Sequence, residues 1–220
     1  MKPAGVGEVW PVHGLRLRTT DLELRVMTEA DLDAVCGALP DDVELDPAAT
    51  RYPGLDERSS RSAIVAQGYW RALGTWSPES WALPFVVRGD GGVLLGVQWL
   101  EGPQFRTDRV VDSSSWLVLG ARGSGLGKQM RTAVLELAFG LLGAVAAVSS
   151  AVLGNAASLG VSRSLGYRDT HTSVLEHSGE TLQHLRLERS AWVGSGRGRA
   201  VEVSGAEAAL PFFGLGDERA

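Results

Sequence analysis

Arg122-Gly123-Ser124-Gly125-Leu126-Gly127-Lys128 is the stretch on which the reading of this chain turns. Ahead of it, residues 110–119 read as a strand. Behind it, Met130, Ala133, Val134, Leu137, Ala138 and Leu141 share one helical face, the continuous apolar stripe of an amphipathic helix. A strand that passes through glycines directly into a helix leaves backbone N–H groups converging with no side chains between them. The positive end of the helix dipole then lies behind those groups. The result is an anion site suited to a pyrophosphate. Gly-x-Gly also occurs at Gly5/Gly7, Gly194/Gly196 and Gly214/Gly216 in a chain with 28 glycines, so placement rather than the string carries the inference. A plain strand-to-helix turn with solvated basic residues is the simpler alternative.

Spacing excludes two phosphate loops. A Walker-type loop needs glycine at 122 and serine or threonine at 129, where Arg122 and Gln129 stand. In the dinucleotide pattern Gly-x-Gly-x-x-Gly the third glycine would fall on Lys128 or Met130. ATP hydrolysis and nicotinamide redox chemistry both lose support.

Working outward, Leu22 to Met27 alternates as a half-buried strand does, and Thr28 with Asp31 forms a capping pattern before a helix carrying Leu32, Val35, Cys36 and Leu39. Pro40, the acidic run Asp41-Asp42-Val43-Glu44, Pro47 and Pro53 interrupt regular structure. A helix is expected over 59–74, then strands over 81–87 and 93–100 about the turn-forming Gly89-Asp90-Gly91-Gly92. Downstream, 144–152 reads as a strand buried on both faces. Asn155 caps a short helix that stops at Gly166, and strands follow over 169–176 and 181–187. Three parts are expected: an extended N-terminal arm (1–21), one folded domain (22–193) and a Gly-rich C-terminal extension (194–220).

Composition narrows the function. One cysteine, Cys36, excludes an internal disulfide and a cysteine zinc cluster, and the four scattered histidines (His13, His171, His177, His184) argue against a metal enzyme. No apolar run reaches the roughly 18 residues of a membrane helix, and no signal layout opens the chain. A cytoplasmic protein is expected, without membrane partners. A net charge of −5 argues against nucleic acid as a partner.

The Arg-x-x-Gly-x-Gly loop resembles the acyl-coenzyme-A loop of the GCN5-related N-acetyltransferases (GNAT). Trp116-Leu117 ahead of Arg122, with an acid at Asp112, is similar to the Glu-x-Gly-Tyr-Trp-Leu strand of the subgroup that acetylates ribosomal protein N-termini. Asn155-Ala156-Ala157-Ser158 resembles that subgroup's Asn-x-x-Ser, and Leu165-Gly166-Tyr167 its Leu-Gly-Phe/Tyr ending. In order and spacing the resemblance covers residues 22 to 192. Ser114-Ser115 departs from the family's Gly-Tyr, and Asp112 is one methylene shorter than its Glu.

The resemblance implies an α/β (α+β) fold: a mixed, mostly antiparallel seven-stranded sheet flanked by helices. Its cofactor cleft is a V between strands four and five, here 110–119 and 144–152. It implies acetyl-CoA, or another short acyl-CoA, as cosubstrate, with no metal. The backbone of Leu117, Val118 and Leu119 would pair with the pantetheine arm, and Asn155 would touch it. The N–H groups of Gly123, Ser124, Gly125, Leu126, Gly127 and Lys128 would hold the pyrophosphate, with positive charge from Arg122 and Lys128. The resemblance also makes a homodimer an option.

Acyl transfer to an amine requires a neutral nitrogen. An amine of pKa ~10 needs a proton acceptor, whereas an α-amine near ~8 is already partly neutral at physiological pH. Asp112 on the strand beside the thioester is the expected acceptor, provided desolvation raises its pKa. Ser158 is the candidate for protonating the departing thiolate; a plain helix N-terminal hydrogen bond is its alternative. Trp70, Trp76 and Trp81 either line an acceptor or acyl pocket or belong to the core, and Tyr167 is expected to pack the core. The expected acceptor is a primary amine of a protein N-terminus or of a small molecule. Two other readings stay open: an acyl-CoA sensor without transfer, and a succinyl donor whose carboxylate meets Arg88, Arg106 or Arg109.

Overall fold

The computed structural model describes residues 5–46, 49–176 and 178–216; Pro47, His177 and the outer ends of the arm and tail lie outside them. Helices α1 (Val6–Val9), α2 (Leu32–Ala38), α3 (Glu57–Gly74), α4 (Phe105–Asp108), α5 (Leu126–Glu136), α6 (Ala156–Leu165) and α7 (Arg189–Ser195) flank one sheet. The strands are β1 (Arg16–Arg18), β2 (Glu23–Val26), β3 (Trp81–Arg88), β4 (Leu94–Gly102), β5 (Val110–Asp112), β6 (Ser115–Leu117), β7 (Ala146–Val152), β8 (Arg168–Val174), β9 (Thr181–Glu188) and β10 (Glu202–Ser204). The architecture is mixed α/β with a largely antiparallel sheet in the order β10-β1-β2-β3-β4-β5-β7-β9-β8, β6 pairing with β4. The β5–β7 pair is parallel.

Local chemistry sets the element ends. Thr28 and Asp31 close a reciprocal capping box, Asp56 accepts from the Ser59 N–H at 2.8 Å to open α3, and Asn155 accepts from the Ser158 N–H at 3.0 Å to open α6. Gly166, at φ +101°, ends α6 in the left-handed region that side-chain-bearing residues avoid. The sheet separates two apolar layers. On one face Leu83, Phe85, Leu100 and Val111 pack with Met130, Val134 and Leu137 of the α5 segment. On the other, Val86 and Val97 pack with Val35 and Tyr69 of α2 and α3. Each such buried side chain contributes roughly 1.5–3 kcal/mol.

Against the expected seven strands, the described residues form ten. The expected strand over 110–119 is broken into β5 and β6 at Ser113-Ser114. Its register on β4 is nonetheless the same on both sides of the gap: Glu101 lies opposite Asp112 and Gln98 opposite Ser115. Counted as one bent strand, β5/β6 brings the region 22–193 to seven. The other two strands come from the flanks. β1, within the stretch read as an extended arm, pairs with β2 and with β10 from the tail. Apolar contacts hold arm and tail down: Trp10 meets Trp76 and Phe212 edge-on, and the Trp76 indole N–H donates to the Phe212 carbonyl at 2.9 Å.

Candidate active site

The bend at Ser113-Ser114 opens the site. Before it, β5 pairs with Ala146 to Val148 of β7; after it, β6 pairs only with β4 among the described residues. The two parallel neighbours therefore diverge, leaving the second half of β7 without a partner on that side. Gly96 lets β6 lie close against β4 after the bend: a Cβ there would stand 2.1 Å from the Trp116 carbonyl oxygen. The freed carbonyl of Ser114 accepts from the Trp99 N–H at 2.8 Å and from Gln98 Nε2 at 2.9 Å.

At the mouth of this cleft the glycine loop runs into α5. Gly123 (φ +76°) and Gly125 (φ +85°) hold left-handed conformations, and a side chain at either would meet open space. The N–H groups of residues 123 to 127 have no partner among the described residues. Five unsatisfied donors at the N-terminus of a helix suit a diphosphate. Lys128 differs from expectation, because its N–H donates to the Gly125 carbonyl at 3.1 Å. Arg122 is likewise engaged: its guanidinium makes a two-pronged pair with Asp42 at 2.5 and 2.8 Å, and its Nε donates to the Leu117 carbonyl at 3.0 Å. The guanidinium holds the Asp42 carboxyl below the usual carboxylate range. The Val118 N–H donates to the Leu95 carbonyl, and Leu119 is exposed. Gly127 lies close to Leu117 of β6 and Val161 of α6, so loop, strand and second helix meet at one place.

Asp112 sits at the root of the divergence. Burial pushes its carboxyl above the usual range; the Ser113 N–H, 2.6 Å away, and the charges of Arg131 and His184 pull the other way. Directly opposite on β4 stands Glu101, also raised, by burial first and by the Asp112 charge second. Cross-strand partners share a face of the sheet, so the two carboxyls stand side by side. Beneath them lies a buried polar group: Arg131 of α5 reaches the hydroxyls of Ser149 and Ser162 at 3.2 and 3.4 Å. Tyr167 Oη and Ser113 Oγ are buried beside it and make no well-aligned hydrogen bond.

Ser158 lies in the first turn of α6, where its N–H serves the Asn155 cap. Trp76 and Trp81 join Phe105 and Phe213 in the aromatic core, and Trp70 is 49% exposed. The tryptophans beside the cleft are Trp99 and Trp116 instead. With Glu101, Ser114 and Ser115 they line a cavity of about 520 Å³ between the sheet and helices α2 and α3. Arg88, Arg106 and Arg109 have partners elsewhere: Asp31 with the Gly92 carbonyl, Glu79, and the Phe105 ring. Glu101, Trp99 and Arg131 escape a sequence reading. The one signal for Glu101 is a lone acid inside an apolar strand. Among the described residues no group of three or more His, Cys, Asp or Glu side chains is placed to hold a metal ion.

Residues 21–168 match the Acetyltransferase (GNAT) domain, and the chain belongs to that family. It is an acyl-CoA-dependent N-acetyltransferase. Solved structures share the fold. A dodecameric spermidine N-acetyltransferase from Vibrio cholerae superposes with a TM-score of 0.62 at 13% identity, over 80% of this chain and 98% of that one. A candidate acetyltransferase from T. thermophilus gives 0.63 at 18% identity, over 81% and 92%. Among the described residues no helix is long and apolar enough to cross a membrane.

Proposed function

We propose that this chain moves an acetyl group from acetyl-CoA to a primary amine by direct attack. The observation that carries the reading is the conjunction of five unpartnered N–H groups at residues 123–127 with a cleft that opens beside a desolvated Asp112. Backbone N–H groups of Gly123 to Gly127 hold the diphosphate, and the end of β6 at Leu117 with the Val118 and Leu119 that follow it faces the pantetheine arm, with Asn155 at its far side. Lys128 and Arg122 supply positive charge, Arg122 only after it gives up Asp42. Asp112 takes the proton of the acceptor ammonium. The freed nitrogen attacks the thioester carbonyl, the C–N bond forms, the C–S bond breaks, and coenzyme A departs as a thiolate. The attacking nitrogen still carries a proton that the amide must lose; relayed through Ser158 or water, it neutralises the thiolate, whose thiol pKa near ~8.5 makes that step undemanding.

The matched strand, loop and Asn-x-x-Ser elements support the subgroup that acetylates protein N-termini; the names of the Vibrio neighbours favour a small-molecule amine. A cytoplasmic location fits both.

The test is a thermal-shift titration with acetyl-CoA. At a ligand excess of ~100 Kd, binding adds ~2.7 kcal/mol, which for a chain of this size is a rise of roughly 5–10 °C. Gly125→Asp abolishes the rise by setting a carboxylate against the diphosphate. Gly125→Asn keeps the fold and most of the rise, because asparagine also tolerates a positive φ. Equal shifts in both variants overturn the loop assignment. A shift without coenzyme A release in the presence of any amine favours an acyl-CoA sensor.

A further inference from the structure

The cavity of about 520 Å³ beside the cleft has a chemistry of its own. Met27, Val35, Ile64, Val65 and Val97 make most of its wall apolar. Trp99 and Trp116 stand on adjacent strands, Trp99 opposite Ser114 and Trp116 opposite Val97, which makes them diagonal neighbours on one face. Ser114 and Ser115, at the bend where β6 leaves β7, border the cavity. Glu101 is the carboxylate it receives from the sheet, and Ala82, its neighbour on β3, adds no bulk. The other charges, Glu44, Asp46 and Arg71, come from the helical side, where Arg71 bonds Asp46 at 3.2 Å. A carboxylate set among apolar and aromatic walls attracts a cation, and the tryptophan faces stabilise the same charge. Asp46 is bonded to Arg71 and Glu44 has a partner of its own, so Glu101 is the carboxylate left for a ligand's ammonium. A second or third cation on the same ligand would have to displace those contacts or be desolvated against valines and methionine.

We infer that this cavity selects an acceptor bearing a single ammonium on an apolar body, Glu101 holding the ammonium beside Asp112 while Trp99 and Trp116 wall the body. The inference deepens the acyl-transfer reading and rests on it. Glu101 is then the residue that sets acceptor specificity, Asp112 the one that takes the proton. Acceptors of the fitting class are arylalkylamines and the α-amines of peptides that begin with a bulky apolar residue; polycations such as spermidine are disfavoured.

The experiment uses the full chain, acetyl-CoA, and three amines, phenethylamine, leucinamide and spermidine, with methylamine as a small reference. Coenzyme A release gives kcat/KM, and intrinsic tryptophan fluorescence without acetyl-CoA gives binding. Phenethylamine or leucinamide is expected to exceed spermidine by about ten-fold or more in kcat/KM and to change the fluorescence saturably. Glu101→Gln is expected to raise the amine KM by about ten-fold, the loss of one charge-assisted contact, with the KM for acetyl-CoA and its thermal shift unchanged. That retained shift shows the variant folded. Ala82→Leu narrows the cavity and weakens phenethylamine more than methylamine. Spermidine turned over as well as or better than the monoamines, or a Glu101→Gln amine KM equal to wild type, overturns the inference while leaving acyl transfer standing. No fluorescence response to any of the amines overturns it too. No thermal shift with acetyl-CoA instead removes the reading beneath it.

Discussion

Asp112→Asn joins two expectations of opposite sign in one variant. Asp112 and Glu101 face each other across β4 and β5, which sets their carboxyls about 5 Å apart. Two ionised carboxylates at that separation repel by about 3 kcal/mol at an effective dielectric of about 20. The Arg131 and His184 charges and the Ser113 N–H offset part of this. The expected gain for the uncharged variant is therefore about 1–2 kcal/mol at neutral pH, a rise in Tm of roughly 2–8 °C. The sign follows from linkage. Burial raises the folded pKa of Asp112 above the unfolded value of 3.8, so the folded chain binds the proton more tightly. Stability then falls as the pH climbs from that unfolded value through the higher folded one. Asparagine escapes that fall, so variant and wild type should melt together in strong acid and separate as the pH rises. Turnover moves the other way. Loss of a general base costs about 10²–10⁴ in kcat at neutral pH, and less in mild alkali, where the acceptor amine is already largely neutral. The assay is differential scanning calorimetry from about pH 3, below the unfolded pKa, to about pH 9, beside coenzyme A release at neutral and alkaline pH. A lower Tm at neutral pH, or a Tm gap independent of pH, would show that the carboxylate is not desolvated. Equal turnover loss at both pH values would remove its role as proton acceptor.

Gly96→Ala is expected to cost about 1–3 kcal/mol or more, because its methyl would stand 2.1 Å from a backbone oxygen that cannot move without unpairing β6. Urea denaturation measures this, and an unchanged midpoint would contradict the close approach. Asp42→Asn releases the Arg122 guanidinium from its two-pronged pair. Calorimetric titration should show coenzyme A binding a few-fold more tightly at low salt, the gain fading as ionic strength rises, with Tm unaltered; weaker binding would mean that Asp42 positions Arg122 rather than sequestering it.

Read without coordinates, the chain already declares the strand–loop–helix unit around Arg122 to Lys128 and the caps at Thr28, Asn155 and Gly166. It also declares the alternation that buries one face of β2 and the order of elements from which the family could be read. These are local matters: turn chemistry, capping and periodicity act within a few residues. The bend at Ser113-Ser114 was not legible, since two serines in a strand look like any polar pair; it shows only in the pairing, β5 with β7 before it and β6 with β4 after it. Nor was the engagement of Arg122, whose partner Asp42 lies in a loop 80 residues earlier. Glu101 became part of the site only when β4 and β5 paired in a register that sets it against Asp112. Arg131 likewise became a buried charge only because α5 docks over Ser149 and Ser162. Long-range register and burial decide which carboxyls are neighbours and how far water is excluded from them. Those two quantities fix a proton acceptor's strength, so the packed chain, not the residue list, settles which acids could do the chemistry.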